Sequence, residues 1–514
     1  MKLKNILIIG VAGILSVSLS GCSDSFLEVE NPSSDDLKEY FSNDAHIKEA
    51  LVAVYDPLHW PDWNGAYNPL NIVSDILADQ INVGGGSSSD MMNWQLLSNY
   101  NGNSNQTLSG LWTAEYSGVK RANDLISYID ALNLENTDIT EANAIYYKTQ
   151  ARVLRAYYYL NLWKFWGYIV YYTENLTGNY LGEQYEPSEI YEKVITDLED
   201  AINLNVLPMR ELEARAGYVT KAFAEMIYAD FVLYQKDSSR YSKALNYMKD
   251  IINSGKYDLN PNYAAIWTES GEWGVESIYE VNYNDDNHQR GWSNTMAVGG
   301  TVLPRLIGPR GWTSGVDGVD NGWSFAPVRQ ETYDMYSAVD TRRDATCYNA
   351  DAVAAANGIE YEHAWQHTGF FLNKYLPRVE NVKDAGWDQD LNFNNNLRVY
   401  RFAETLLNAA ELLVLTGGDN GEAARYVSRV RLRAGLGDVS TTTQDNILEE
   451  RRLEFVGEGK RYFDLVRTGK AASVLVAGSV ANRTNNWSED RKYVPIEQGE
   501  LSADPNLKQV PGYK

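Results

Sequence analysis

The chain has 514 residues, 44% of them apolar, which is enough to build a large core and too apolar for a disordered protein. A formal charge of −24 creates a field that repels phosphate backbones and anionic lipid headgroups, so nucleic acid is excluded as a natural partner. Tyr (36) and Trp (14) exceed what a core requires, and such side chains gather at binding surfaces because each joins an apolar face to a polar tip.

The N-terminus has the order of a secretory leader: basic Lys2 and Lys4, then an apolar run from Ile6 to Leu19 that is short for a membrane span. It ends in Leu19-Ser20-Gly21-Cys22, a sequence that resembles a bacterial lipobox and predicts lipidation at Cys22. Residues 1–21 are accordingly expected to be a lipoprotein signal peptide, and residues 22–36 a lipidated tether containing Asn31-Pro32-Ser33-Ser34. The only other cysteine is Cys347, so with Cys22 acylated no intramolecular disulfide can form and the fold must hold by packing.

Helical periodicity follows in four regions. The first holds Asp44 to Tyr55 and Leu108 to Ile129; the second runs from about Ala142 to Trp166, with Leu154, Tyr157, Tyr158, Asn161, Leu162 and Phe165 recurring at intervals of three and four. The third comprises Pro187 to Ile202, Val219 to Tyr234 and Tyr241 to Ile252. In the fourth, Val399, Phe402, Ala403, Leu406, Ala410 and Leu413 share a face that ends at Gly417-Gly418, a helix C-terminal signal. Ala224-Glu225, a turn at Lys236-Asp237 and Ala244 parallel Ala403-Glu404, Gly417-Gly418 and Ala424; small residues so placed let paired helices approach closely, the logic of tetratricopeptide-type repeats. Residues 256–395 lack such a period. They contain short β-like runs such as Ser277 to Tyr283 among Gly-, Asp- and Asn-rich stretches with six tryptophans between Trp267 and Trp365, which argues for an ordered, functional insertion.

Several segments together resemble the SusD/RagB family of glycan-binding lipoproteins of Bacteroidetes. They are Gln150-Ala151-Arg152-Val153-Leu154-Arg155-Ala156-Tyr157-Tyr158-Tyr159 closing on Phe165-Trp166-Gly167, then Tyr400-Arg401-Phe402-Ala403-Glu404 with Ala410-Glu411, and Val430 to Leu436. The most specific is Glu449-Glu450-Arg451-Arg452-Leu453-Glu454-Phe455 continuing to Arg467, followed by Tyr493-Val494-Pro495-Ile496 and Pro511-Gly512-Tyr513. Ile169-Val170-Tyr171, Glu497 and Val510 depart from the family pattern, at positions concerned with packing. The resemblance implies a mainly α protein: a tetratricopeptide-like helical-repeat scaffold whose long irregular, partly β insertions form a ligand face. It also implies one domain over 37–514, with repeats at about 44–254 and 397–467 and a variable ligand-binding insertion at about 256–395. An outer-membrane, outward-facing location and a SusC-like TonB-dependent transporter as partner are further implications.

For carbohydrate, chemistry requires exposed aromatic planes for the apolar ring faces, with Asn, Asp or Arg for the hydroxyls. Three stretches supply both: Asn93-Trp94; Tyr283 to Trp292; and Arg310-Gly311-Trp312 leading to Asp320-Asn321-Gly322-Trp323. The expected ligand-binding residues are therefore Asn93, Trp94, Tyr283, Trp292, Arg310, Trp312 and Trp323, with Trp60 and Trp63 in second rank and Trp112, Trp163 and Trp166 assigned to the core. The carboxylates Glu449, Glu450, Glu454 and Glu458 suggest a glycosidase pair, but Arg451, Arg452 and Arg461 beside them favour a structural ion network. His363 and His367 would share a face if their segment were helical, yet the zinc-protease Glu is missing. Asp317 to Gly322 lacks the ligands of a calcium loop, and Gly84-Gly85-Gly86 lacks the Lys of a phosphate loop. No enzyme activity, metal or cofactor is expected. The function expected is capture of oligosaccharides or polysaccharides for a transporter, with a structural lid or a peptide-binding helical-repeat protein as the alternative.

Overall fold

The computed structural model describes residues 37–62, 67–175, 181–211, 215–286, 290–292 and 299–513. The leader, Cys22 and the tether lie outside the described residues, as does Trp63. Helices dominate: α1 (Asp44–Tyr55), α2 (Ser109–Asp130), α3 (Glu141–Trp166), α4 (Pro187–Asn203), α5 (Lys221–Gln235), α6 (Tyr241–Asn253), α7 (Ala350–Asn357), α8 (Phe402–Leu415), α9 (Asn420–Arg433), α10 (Gln444–Glu454) and α11 (Arg461–Arg467). Their starts carry local signals. The Thr140 and Thr220 hydroxyls cap α3 and α5 by accepting from Asn143 N and Phe223 N, and a Glu186/Glu189 capping box with Pro187 opens α4.

Successive helices pack as pairs, α2 on α3, α5 on α6 and α8 on α9, and α8 also packs on α6. Ala224, Ala244, Ala403 and Ala424 are all buried where these helices meet. The centre of the scaffold is α3. The sequence pattern marks one apolar face, but every residue from Val153 to Trp166 is buried. A helix dense in Arg and Tyr can be enclosed on all sides because its polar tips find partners. Arg155 pairs with Asp197 at 2.9 Å, Lys164 with Asp230 at 3.0 Å, and Tyr158 Oη donates to Val54 O at 2.6 Å. Close approach of α2 requires Gly118, where a Cβ would stand 2.3 Å from the Tyr158 ring. After α3 the chain turns at Gly167 with φ of +68°, beneath the Tyr493 ring, and Val494 N donates to Phe165 O. The closing segment thereby seals the end of α3.

The strands are short. β1 (Ile169–Val170) pairs with β2 (Gln184–Tyr185), β3 (Ser277–Val281) with β6 (Leu397–Arg401), and β4 (Cys347–Asn349) with β5 (Phe370–Leu372), all antiparallel. The β3–β6 pair ties the early part of the irregular insertion to the chain that leaves it, and β6 leads directly into α8. Within the insertion a separate small core forms from Trp312, Val319, Tyr348, Ala350, Ala354, Phe371 and Leu376.

Beneath β6 lies a buried ion network. Arg401 reaches Glu276 at 2.5 Å, Glu454 at 3.0 Å and Glu458 at 2.7 Å. Glu454 also meets Arg342 and Arg433, and Lys374 meets Glu458. The carboxylates on and after α10 are thus structural, as the sequence suggests, but their partners differ from the expected neighbours on the same helix. Arg451 turns to Glu404 and Asp464, and Arg461 to Asp79; only Arg452 pairs locally, with Glu449. Burial opposes charge on Glu454, yet Arg433, Arg401 and Arg342 outweigh it and hold the carboxyl well below its usual range.

Candidate functional site

An aromatic cluster rises from the insertion at Trp323. Its ring centroid is 6.2 Å from that of Trp292 at an interplanar angle of 34°, and 5.9 Å from Tyr67, which meets it edge-on at 81°. Trp292 is 49% exposed, whereas Trp323 and Tyr67 are partly buried. Trp387, 58% exposed, stands nearby, since a Cβ on Gly291 would lie 3.8 Å from its indole nitrogen. Exposed indole planes above a tilted partner offer the apolar stacking surface that a pyranose ring needs.

Polar groups line this surface. Trp292 N donates to Asp388 Oδ2 at 3.2 Å, and Arg305 holds Asp390 at 2.9 Å and Asp320 at 2.8 Å. Arg305 itself is buried and its carbonyl accepts from Trp323 N at 2.8 Å, so one residue fixes both the indole and the carboxylates beside it. Burial, with Asp390 adding to it, pushes the Tyr67 phenol up to about 12, so it stays protonated and able to donate. Asn321 Oδ1 accepts from Gly311 N at 2.7 Å, tying the strand-like stretch that carries Trp323 to the one that carries Arg310.

The structure brings together Trp292 and Trp323 and separates the other expected ligand residues. Trp94 lies on the short helix Met92–Ser98 with no exposed surface; its indole donates to Asn68 Oδ1 at 3.3 Å and its ring packs edge-on against Phe325. Neither of its faces can reach a ligand. Asn93 spends its amide on Thr107 O at 3.1 Å. Trp312 is 4% exposed inside the small core of the insertion, edge-on to Tyr348 and Tyr361. Tyr283 is buried beside His59 with Arg290 over its ring. Arg310 is part-exposed on the flank, paired with Glu362 at 3.0 Å and close to Gly86. Trp60 is buried under Arg121, and Trp112, Trp163 and Trp166 are core as expected. Tyr67 and the Trp387-Asp388-Gln389-Asp390 stretch were missed. The latter satisfies the same aromatic-plus-carboxylate criterion used for the other stretches, whereas nothing in the sequence marks Tyr67.

Residues 275–513 match the model of the SusD family, and residues 25–222 match a family described as starch-binding associating with outer membrane. The structure of surface glycan-binding protein A from Bacteroides thetaiotaomicron in complex with laminarihexaose is similar, with a TM-score of 0.87 and 51% identity over 91% of this chain and 99% of that one. The chain belongs to the SusD family. A laminarin-binding SusD-like protein aligns with a TM-score of 0.82 and 30% identity, covering 92% of this SusD-family chain and 100% of its own. SusD-like protein P2 of Formosa agariphila is 25% identical over 97% of this chain and 98% of its own length. The helical-repeat scaffold expected from the sequence is therefore that of SusD-like proteins, and its ion network and sealed α3 are the segments that carried the resemblance.

Proposed function

We propose that this protein is a surface glycan-binding lipoprotein that captures oligosaccharides on the Trp292–Trp323 platform, with Tyr67, Trp387, Asp388 and Asp390 completing the face and Arg310 at its flank. The observation that carries this reading is the exposed pair of tilted indoles, in a chain half identical to a protein whose structure holds laminarihexaose. A laminarin-type glucan is the ligand class it favours, supported also by the laminarin-binding relative. Capture is not accompanied by catalysis in this reading: of the carboxylates suggestive of a glycosidase, Glu450, Glu454 and Glu458 are locked in buried ion pairs, and Glu449 makes a surface pair with Arg452. Acylation at Cys22 anchors the protein to the outer membrane, facing outwards, where it hands its ligand to a SusC-like TonB-dependent transporter. Rapid release suits a handoff, and a few stacked rings with partly wet hydrogen bonds give affinity of roughly micromolar to millimolar Kd.

Affinity electrophoresis through gels containing laminarin, starch, xylan or mannan tests the ligand class. Retardation by laminarin above the others is expected. Equal mobility in every gel would favour the structural-lid or peptide-binding alternative.

A further inference from the structure

Two imidazoles and a carboxylate meet on the insertion, on residues that take no part in the indole platform. Asp351 stands in the first turn of α7, which Asn349 caps by accepting from Ala352 N. His363 and His367 come from the irregular segment beyond it; that segment is not a helix, and a turn at Trp365-Gln366 brings the pair together. Asp351 Oδ1 lies 3.5 Å from His363 Nε2 and 3.3 Å from His367 Nε2, and one ligand atom from each residue falls within 4.8 Å of the others. The carboxylate is held from two more sides. Tyr361 Oη donates to Oδ1, and the Gly369 backbone closes on Oδ2, where a Cβ would stand 2.4 Å away.

These spacings suit a particular chemistry. Zinc bonds of about 2.0–2.1 Å set adjacent ligands of a tetrahedron about 3.3 Å apart. Both carboxylate-to-imidazole distances are already close to that edge. The two rings stack at 4.0 Å and 13°, an arrangement that two positively charged imidazoliums would resist.

We propose that Asp351, His363 and His367 form a site for a divalent transition metal of the zinc class, with two nitrogen ligands, one oxygen ligand and the remaining position taken by water. Lone pairs of near-parallel rings cannot converge on one ion, so binding opens the stack. His363, with its side chain 64% exposed, is the ring that turns, while Asp351 and His367 hold their places. The consequence is local order. The same segment carries Glu362, which pairs with Arg310, and Trp365, whose N donates to Gly85 O, so the ion fastens to α7 a loop that borders the glycan face. This site does not depend on the glycan reading.

The test is isothermal titration of Zn2+ into untagged, metal-stripped protein, run beside His363→Ala and Asp351→Asn, with Co2+ absorption as a second readout. One ion per chain is expected, with affinity at least about tenfold weaker in each variant and the visible bands of tetrahedral cobalt lost. His363 is exposed enough that its alanine variant folds, which equal melting of metal-free parent and variant verifies. Absence of stoichiometric binding, or binding unchanged in His363→Ala, would overturn the proposal.

Discussion

Among the tryptophans of the insertion, Trp292 and Trp387 expose about half of their surface or more, and Trp323 is the ring that Trp292 leans on. Removing the lower indole removes the support of the upper one, so Trp323→Ala should weaken glycan binding about as much as Trp292→Ala. The expected loss is a factor of roughly 10 to 100 in Kd, about 1.4–2.8 kcal/mol, read by titration with a soluble oligosaccharide. A second residue concerns stability. Glu225 in α5 is buried, and burial pushes its carboxyl up to about 9 although Lys221 lies 3.6 Å away. The folded chain therefore binds a proton that the unfolded chain releases near the ordinary Glu pKa of about 4.3. Stability from this residue is present at low pH and lost progressively as pH rises towards about 9. Glu225→Gln should unfold at higher urea than the parent at pH 8 and show no such gain at pH 4; equal shifts at both values would refute the assignment.

The crossing of α2 and α3 and the network under β6 rest on different physics. Gly118 allows the Tyr158 ring to lie against the α2 backbone, and that phenol then reaches Val54 O on α1, joining three helices through one side chain. Gly118→Ala should displace the ring and destabilise by about 1–3 kcal/mol, despite alanine's better helix propensity. The urea midpoint reports it. The network gains little over an apolar core while intact, yet a missing partner leaves charge buried. Glu454→Gln removes the negative charge shared by Arg342, Arg401 and Arg433, and should destabilise by about 3–5 kcal/mol. Helix positions were legible in the sequence because caps, alanines at crossings and glycine stops are local. The partners of α10 were not, since Arg342, Arg401 and Arg433 reach it from other elements. The same limit applied at the face: residue type selected Trp292 and Trp323, but local sequence cannot show that Trp94 is roofed by Phe325 or that Trp312 anchors a separate small core.

At the scale of the whole molecule, two sets of buried acids oppose each other. Burial raises Glu225 to about 9 and Asp75 and Glu272 to about 7, while cationic neighbours outweigh burial at Glu454, Glu458 and Asp464, which are held low, by arginines at Glu454 and Asp464 and by Arg401 and Lys374 at Glu458. The first set loses its contribution as pH rises, and the second loses its own as pH falls through the folded-state values. A stability maximum in mildly acidic solution follows, and melting temperatures across pH 3 to 9 would show it. The helical scaffold, paired to the insertion through β3 and β6, holds the indole platform, and among the described residues no disulfide ties it. The proposed capture of glycan rests on that platform. Isothermal titration of laminarihexaose into the parent and into a folded Trp292→Ala, Trp323→Ala variant is the most direct measurement. Binding of roughly micromolar to millimolar Kd in the parent, lost in the variant, is the result predicted; equal binding in both proteins would contradict it.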